Sequence, residues 1–230
     1  MTTTTTAPVG EHAELLGTSD LVLLGGAPLL LAAAQFAATD EGKGAICAVQ
    51  LKQADGVLSI SATNGHMAFR CRIPQGGGVN WSMSSDELLL DAKPLRKQAA
   101  RAVHLILKED RVELLDAKVK PIDLRIIERD RFRCHRFPEI DKIWPSSFSY
   151  SAGASICWSA SYMATIHDIA ARLSDKGNVV FRFSTGQSPL EMACTFAESI
   201  EVEFLLMPVQ VRREARNERD FPPQDEPAAA

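Results

Sequence analysis

The chain lacks the usual marks of secretion, membrane insertion and metal binding. Its five cysteines, Cys47, Cys71, Cys134, Cys157 and Cys194, are odd in number and widely scattered, with no CxxC and no Cys/His ligand spacing. That argues against a disulfide framework and reads as free thiols in a reducing cytoplasm. No apolar run reaches membrane-spanning length, and the opening MTTTTTAPVG has neither the basic region nor the apolar core of a signal peptide. Catalytic motifs are missing too: there is no HExxH, no GxSxG and no P-loop. The glycine run at 76–78 leads to no GKS or GKT and reads as a loop. Cys134-His135 is the only adjacent nucleophile–base pair, and neighbours in a strand point to opposite faces. His12, His104 and His167 are isolated, which suits structural or surface roles, and no cofactor is expected. An excess of positive charge is also absent. Lys and Arg number 25 against 29 Asp and Glu, a net charge of −4. This weighs against binding nucleic acid by bulk charge and leaves a local basic surface open.

What is present is ordinary for a folded chain of one or two domains: 230 residues, 46% hydrophobic and 23% charged. The most informative stretch is VLSISATNGHMAFRCRI, residues 57–73. Leu58 and Ile60 alternate on one arm, and Met67, Phe69, Cys71 and Ile73 on the other. Asn64-Gly65 between them predicts a hairpin with a type I′ turn, leaving Thr63 and His66 at the tip.

Around that hairpin the spacing predicts a βαβββ unit. It comprises a strand at 21–24, a helix at 28–39 opened by Pro28, a strand at 45–52 and the hairpin itself. A second unit follows: a strand at 88–90, a helix from an Asp91 cap to about Arg101, a hairpin across Glu109-Asp110 and a strand at 121–127. A third has a strand at 155–158, a helix at 161–176 with Tyr162, Ile166, Ile169 and Leu173 on one stripe, and strands at 178–183, 190–196 and 200–208. The fold class is therefore α+β, with each helix covering one face of a largely antiparallel sheet. Residues 1–18 and 212–230 read as disordered ends.

Four segments resemble the bacterial replicative sliding clamp, the β subunit of DNA polymerase III. SATNGHMA (61–68) is similar to its ATDGHRLA-type turn, and HRFPEIDKIWP (135–145) to its GRFPDYxxVxP-type connector. Residues 156–173 resemble the helix-bearing part of its last domain, and FLLMPVQV (204–211) its terminal YxxMPMRL strand. The matches fall in family order. They imply a complete clamp-like domain over 19–137, then a connector and half-domain over 138–211. The clamp's first domain and one unit of its last have no counterpart, since 146–154 is far too short for that unit.

The resemblance implies a non-enzymatic protein of DNA replication or repair. It would capture short linear motifs of polymerases, clamp loaders or repair proteins. The pocket it implies comprises Ile46, Thr63, Gly65, His66, Met67, Pro145, Tyr162, Met207, Pro208 and Val209. Met67 replaces the family's Arg, which makes the rim more apolar. Methionine suits a surface that accepts several partners. Periodicity alone favours Met207 and Tyr162 as core residues and Thr63 and His66 as residues that simply flank a turn. The resemblance also implies helices facing double-stranded DNA without reading sequence, in an oligomeric ring. Lys93, Arg96, Lys97 and Arg101 on the second helix, and Arg172 and Lys176 on the third, fit that surface, and so does a plain solvated face. A non-ring adaptor, a cysteine enzyme built on Cys134 and His135, and a protein that pairs its sheet edges with a partner remain the alternatives.

Overall fold

The computed structural model describes residues 21–75, 78–83, 85–97, 101–108, 111–126, 136–145, 158–174, 176–182 and 189–208. Expectations for the two ends, for Cys134-His135, for Cys157 and for Val209 lie outside them.

Among the described residues, twelve strands alternate with three α-helices in the repeating order the sequence suggests. The first unit is β1 (Leu21–Leu24), α1 (Ala27–Phe36), β2 (Ala48–Ala54), β3 (Val57–Thr63) and β4 (Met67–Pro74). A short strand β5 (Asn80–Met83), absent from the sequence reading, precedes the second unit. That unit is β6 (Glu87–Asp91), α2 (Ala92–Leu95), β7 (His104–Leu107), β8 (Arg111–Leu115) and β9 (Pro121–Ile126). The third contributes α3 (Ala160–Leu173), β10 (Val180–Arg182), β11 (Leu190–Phe196) and β12 (Ile200–Leu206). The strand expected at 155–158 falls outside the described residues except for Trp158, which is in no element.

The strands form two antiparallel sheets, one of five in the order β5-β1-β7-β8-β9 and one of seven in the order β10-β11-β12-β4-β3-β2-β6. The first two units exchange their leading strands. β1 pairs with β7 of the second unit, and β6 pairs with β2 of the first. In the larger sheet β12 pairs with β4, in the register Leu206↔Met67 to Val202↔Cys71. The closing strand is thereby tied directly to the hairpin.

Alternation then divides this sheet into two faces. Met67, Phe69, Leu206 and Phe204 belong to the main core. There Phe36 of α1 meets the rings of Phe69 and Phe204 at 5.5 and 5.6 Å. Ala68 and Leu205 face the other way, into a separate cluster with Phe137, Ile140 and Trp144 of the connector.

Three local expectations are corrected. The positive φ pair of a type I′ turn occurs at Asp55 (50°) and Gly56 (72°), between the paired residues Ala54 and Val57. At the hairpin tip only Gly65 is positive (90°), and the Asn64 N–H donates to the Met67 carbonyl. Gly65-His66 are thus the two central residues, in the φ pattern of a type II′ turn. The strand expected from 45 begins at Ala48, because Glu41–Cys47 is a 3-10 segment capped by Asp40 and kinked at Gly44. The second helix is capped by Asp91 as expected, but it runs only Ala92–Leu95 rather than to Arg101.

Candidate functional site

The tip of the β3–β4 hairpin is shaped by two polar side chains. The Thr63 hydroxyl donates to the Met67 carbonyl (2.9 Å) and accepts from the Gly65 N–H (3.1 Å). The Asn64 side-chain carbonyl accepts from the His66 and Met67 N–H groups at 2.9 and 3.0 Å. These bonds satisfy the backbone of a turn that has little ladder of its own.

Two other elements converge on this tip. The Met207 N–H, just past β12, donates to the His66 carbonyl at 2.9 Å. Pro208 follows and has no N–H to extend the ladder. From α3, the Tyr162 ring stacks on the His66 ring, with centroids 5.6 Å apart and planes 16° from parallel. An open cavity of about 410 Å³ lies beside them. Its walls are the end of α1 with Asp40 and Lys43, the tip residues Asn64, His66 and Met67, and Ser161, Tyr162 and Thr165 at the start of α3. Met207 is exposed, whereas Met67 and Thr63 are buried.

Thr63, Gly65, His66, Met67, Tyr162, Met207 and Pro208 are therefore neighbours. Ile46 stands one layer back: its carbonyl accepts the N–H of Ala38, which lines the cavity. Pro145 is set apart. It follows Trp144, which packs on Ala68 and Leu205, the opposite face of the β4–β12 pair. Val209 lies outside the described residues.

The sequence reading missed what anchors the connector. Arg70 holds Glu203 through two hydrogen bonds of 2.7 and 2.8 Å and reaches Asp141 at 2.9 Å. Its guanidinium lies 4.1 Å from the Trp144 ring centroid. Burial works against the Arg70 charge, but Glu203 and Asp141 outweigh it and raise the pKa. On the neighbouring strands Arg182 pairs with Glu191 and Glu201. Burial still raises the Glu191 carboxyl pKa above its ordinary value. The only sequence signal was a charged residue at alternate positions of strands otherwise buried.

The six residues expected to face DNA do not form one stripe. Arg96 is a structural cap: its guanidinium donates to the carbonyls of Ala34, Ala37 and Ala38 at 2.8, 2.5 and 2.9 Å, closing the end of α1. Lys93 pairs with Glu41 at 2.9 Å, and Arg172 with Asp168 at 2.7 Å. Lys97, Arg101 and Lys176 are exposed. Because α2 ends at Leu95, the spacing of Lys93, Lys97 and Arg101 does not align them along one described helix.

Nucleophilic chemistry finds no support among the described residues. Cys47, Cys71 and Cys194 are buried. Burial, then Glu203 and Cys194, push the Cys71 thiol far up, away from the thiolate. His104 accepts the Gly25 N–H at 2.8 Å, a structural task. No cluster of three metal-ligating side chains occurs among the described residues, and none of their helices is long and apolar enough to cross a membrane.

No protein-family model matches the sequence, and no curated protein does. Solved structures do. The DNA polymerase III β subunit of Thermotoga maritima superposes with a TM-score of 0.57 at 12% identity, covering 85% of this chain and 67% of that one. The sliding clamp of Bacillus subtilis gives 0.55 at 12%, covering 85% and 65%. The β sliding clamp of Caulobacter crescentus gives 0.54 at 12%, covering 89% and 69%. The chain thus has the α+β fold of the bacterial sliding clamps, over about two thirds of their length.

Proposed function

We propose that the protein is a non-enzymatic, clamp-like accessory factor of DNA replication or repair. It captures short peptide segments of polymerases or related proteins where the hairpin tip meets the closing strand. One observation carries this reading: the Met207 N–H bonds the His66 carbonyl while Tyr162 stacks on the His66 ring. Three segments far apart in sequence thereby build one rim, with an exposed Met207 and an open cavity beside it. A flexible thioether and an aromatic face are groups that hold an apolar peptide side chain. Among the proteins of like fold, the Helicobacter pylori clamp binds diflunisal, and the C. crescentus clamp carries polyethylene glycol at a candidate β-motif tethering region. Small ligands are thus bound by proteins of that fold.

Encirclement of DNA is the further part of the proposal, and Lys97, Arg101 and Lys176 are its exposed cations. It has less local support than peptide capture, because Arg96, Lys93 and Arg172 already hold protein partners.

The test is fluorescence anisotropy with a labelled clamp-binding peptide. Binding is expected in the micromolar range, about −8 kcal/mol. Met207→Glu places a charge in the rim and abolishes binding with an unchanged circular dichroism spectrum. Retained affinity in that variant overturns the assignment.

A further inference from the structure

α1 is apolar but for one residue, Gln35, and its half-buried positions Pro28, Leu31 and Gln35 recur at helical spacing on one side. One side of α3 likewise carries Ser161, Thr165, Ile169 and Arg172, spaced three or four apart. The cavity beside His66 takes the end of α1 and the start of α3. A second cavity, of about 280 Å³, takes the reverse: Pro28, Leu31 and Ala32 from the start of α1, and Ile169, Arg172 and Leu173 from the end of α3. The two helices therefore run antiparallel, and Gln35 stands in the wall of both cavities.

Leu95, Arg96 and Ala102 close this second cavity from the second unit. Ala32, Leu95, Ile169 and Leu173 are buried, and Leu31 packs against the core with part of its side chain left open. Among the described residues the lining carries two guanidinium groups and no carboxylate. Arg96 bonds three backbone carbonyls, which leave its charge uncancelled. Arg172 holds Asp168 in an exposed i,i+4 pair, a contact weak enough to be exchanged for another carboxylate. Between the two cavities Gln35 places an amide, a donor and an acceptor together.

We propose that the two cavities are the ends of one trough between α1 and α3. Its occupant is the stretch of a partner peptide next to the segment held at the hairpin tip, with apolar side chains followed by an acidic one. The inference rests on the peptide capture proposed above and extends it to an end that no residue of the implied pocket lines. Ser161 to Arg172 spans roughly 16 Å at about 1.5 Å per residue, the length of about five extended residues. Apolar side chains of such a stretch fill the space over Leu31 and Ile169, and Gln35 bonds its backbone. Its carboxylate meets Arg172, with the Arg96 charge behind. Duplex DNA suits this end less well. Its phosphates meet Arg172, but nothing on a duplex backbone fills a cleft floored by Leu31, Ile169 and Leu173.

The experiment is fluorescence anisotropy on the full chain with a short labelled clamp-binding peptide and two longer forms. Each longer form adds about five residues, at the amino or the carboxyl end, with leucines nearest the motif and glutamates outermost. One of them is expected to bind about tenfold tighter than the short peptide, and a version with lysines in place of the glutamates to lose that gain. Arg172→Ser and Leu31→Gln each remove most of the gain, while the short peptide's affinity and the melting temperature stay as in the parent. Arg172 is exposed, so its variant carries the result should Leu31→Gln lose its fold. Binding of the short peptide with no gain from either extension overturns the trough and leaves capture at the hairpin tip standing. A gain unmoved by Arg172→Ser does the same. Failure of every peptide to bind overturns both readings. Duplex DNA held less tightly by the Arg172→Ser variant, with no peptide gain in the parent, assigns that end to DNA instead.

Discussion

Replacing Arg96 separates a structural cation from a DNA-facing one. α1 has no basic residue in its last turn and ends at Ala37 in extended backbone, so its final carbonyls depend on a donor from elsewhere. Arg96 supplies three hydrogen bonds to the carbonyls of Ala34, Ala37 and Ala38. Burial lowers its pKa, with Cys47 and Asp91 opposing, yet a guanidinium stays protonated at any pH of interest. A bond to a charged donor contributes about 1.5–3 kcal/mol when buried, and this side chain is only half-buried. Discounting each bond to about 1 kcal/mol gives roughly 3 kcal/mol for Arg96→Ala, close to the lower bound for leaving carbonyls half-satisfied. For a chain of this size each kcal/mol moves the melting temperature by about 2–4 °C, so the variant should melt roughly 6–12 °C below the parent. Arg96→Lys keeps the favourable charge at the helix end, about 0.5 kcal/mol, and loses the fork. It should fall between the two. Calorimetry at neutral pH reads the difference. Melting within about 2 °C of the parent would refute the capping role, and weakened retention on DNA at unchanged stability would return Arg96 to the surface the sequence suggested.

The Arg70–Glu203 pair is nearly enclosed, with side chains 8% and 12% exposed. Arg70→Ala should cost about 3–5 kcal/mol in urea unfolding, because Glu203 is left buried without its partner, and Glu203→Ala should cost less, because Arg70 keeps Asp141. The double change to Met and Leu should recover most of that loss, and a double variant no better than the singles would show the pair to be worth more than its burial costs. Acid should weaken the fold through Glu113. Burial raises its pKa, but Lys108 and Arg111 outweigh it and hold it below 4.5. Its contribution is full above that value and is lost as pH falls through the native pKa, so Glu113→Gln should flatten the acid limb of the stability curve. Glu191 acts oppositely: its native pKa lies above 4.5, so stability drains as pH rises from there through that raised value, a slope that Glu191→Gln should remove.

Legibility followed how local the cause was. The arms of the central hairpin were readable because alternation alone fixes them: Val57–Thr63 begins and ends where the pattern does. The turn chemistry was misplaced by one hairpin. Asp55-Gly56 has both positive φ values, whereas Asn64 spends its side chain on the His66 and Met67 N–H groups and leaves only Gly65 positive. β5 was missed because Trp81 is its single buried residue, too little for a period-two signal. The role of Arg96 was out of reach, since its acceptors lie 58 to 62 positions away in sequence.

The juxtaposition of His66 and Met207 came from family resemblance rather than from local chemistry, and the strand register shows what that resemblance blurs. Met67 and Leu206 face the helices, while Ala68 and Leu205, the next pair along, face the connector. A residue set drawn from motif order alone merges these two faces. A ligand seated beside Tyr162 meets His66, Met67 and the end of α1. A ligand seated against Pro145 meets instead a surface already covered by Trp144, whose indole N–H is buried without a partner, and by Asp141, which bonds Arg70. The second seat opens only by lifting the connector from Leu205 and breaking its hold on Arg70. Substitutions at Tyr162 and at Asp141 therefore distinguish the two. Binding that depends on Tyr162 alone belongs to the open cavity, whereas binding strengthened by Asp141→Ala belongs under the connector.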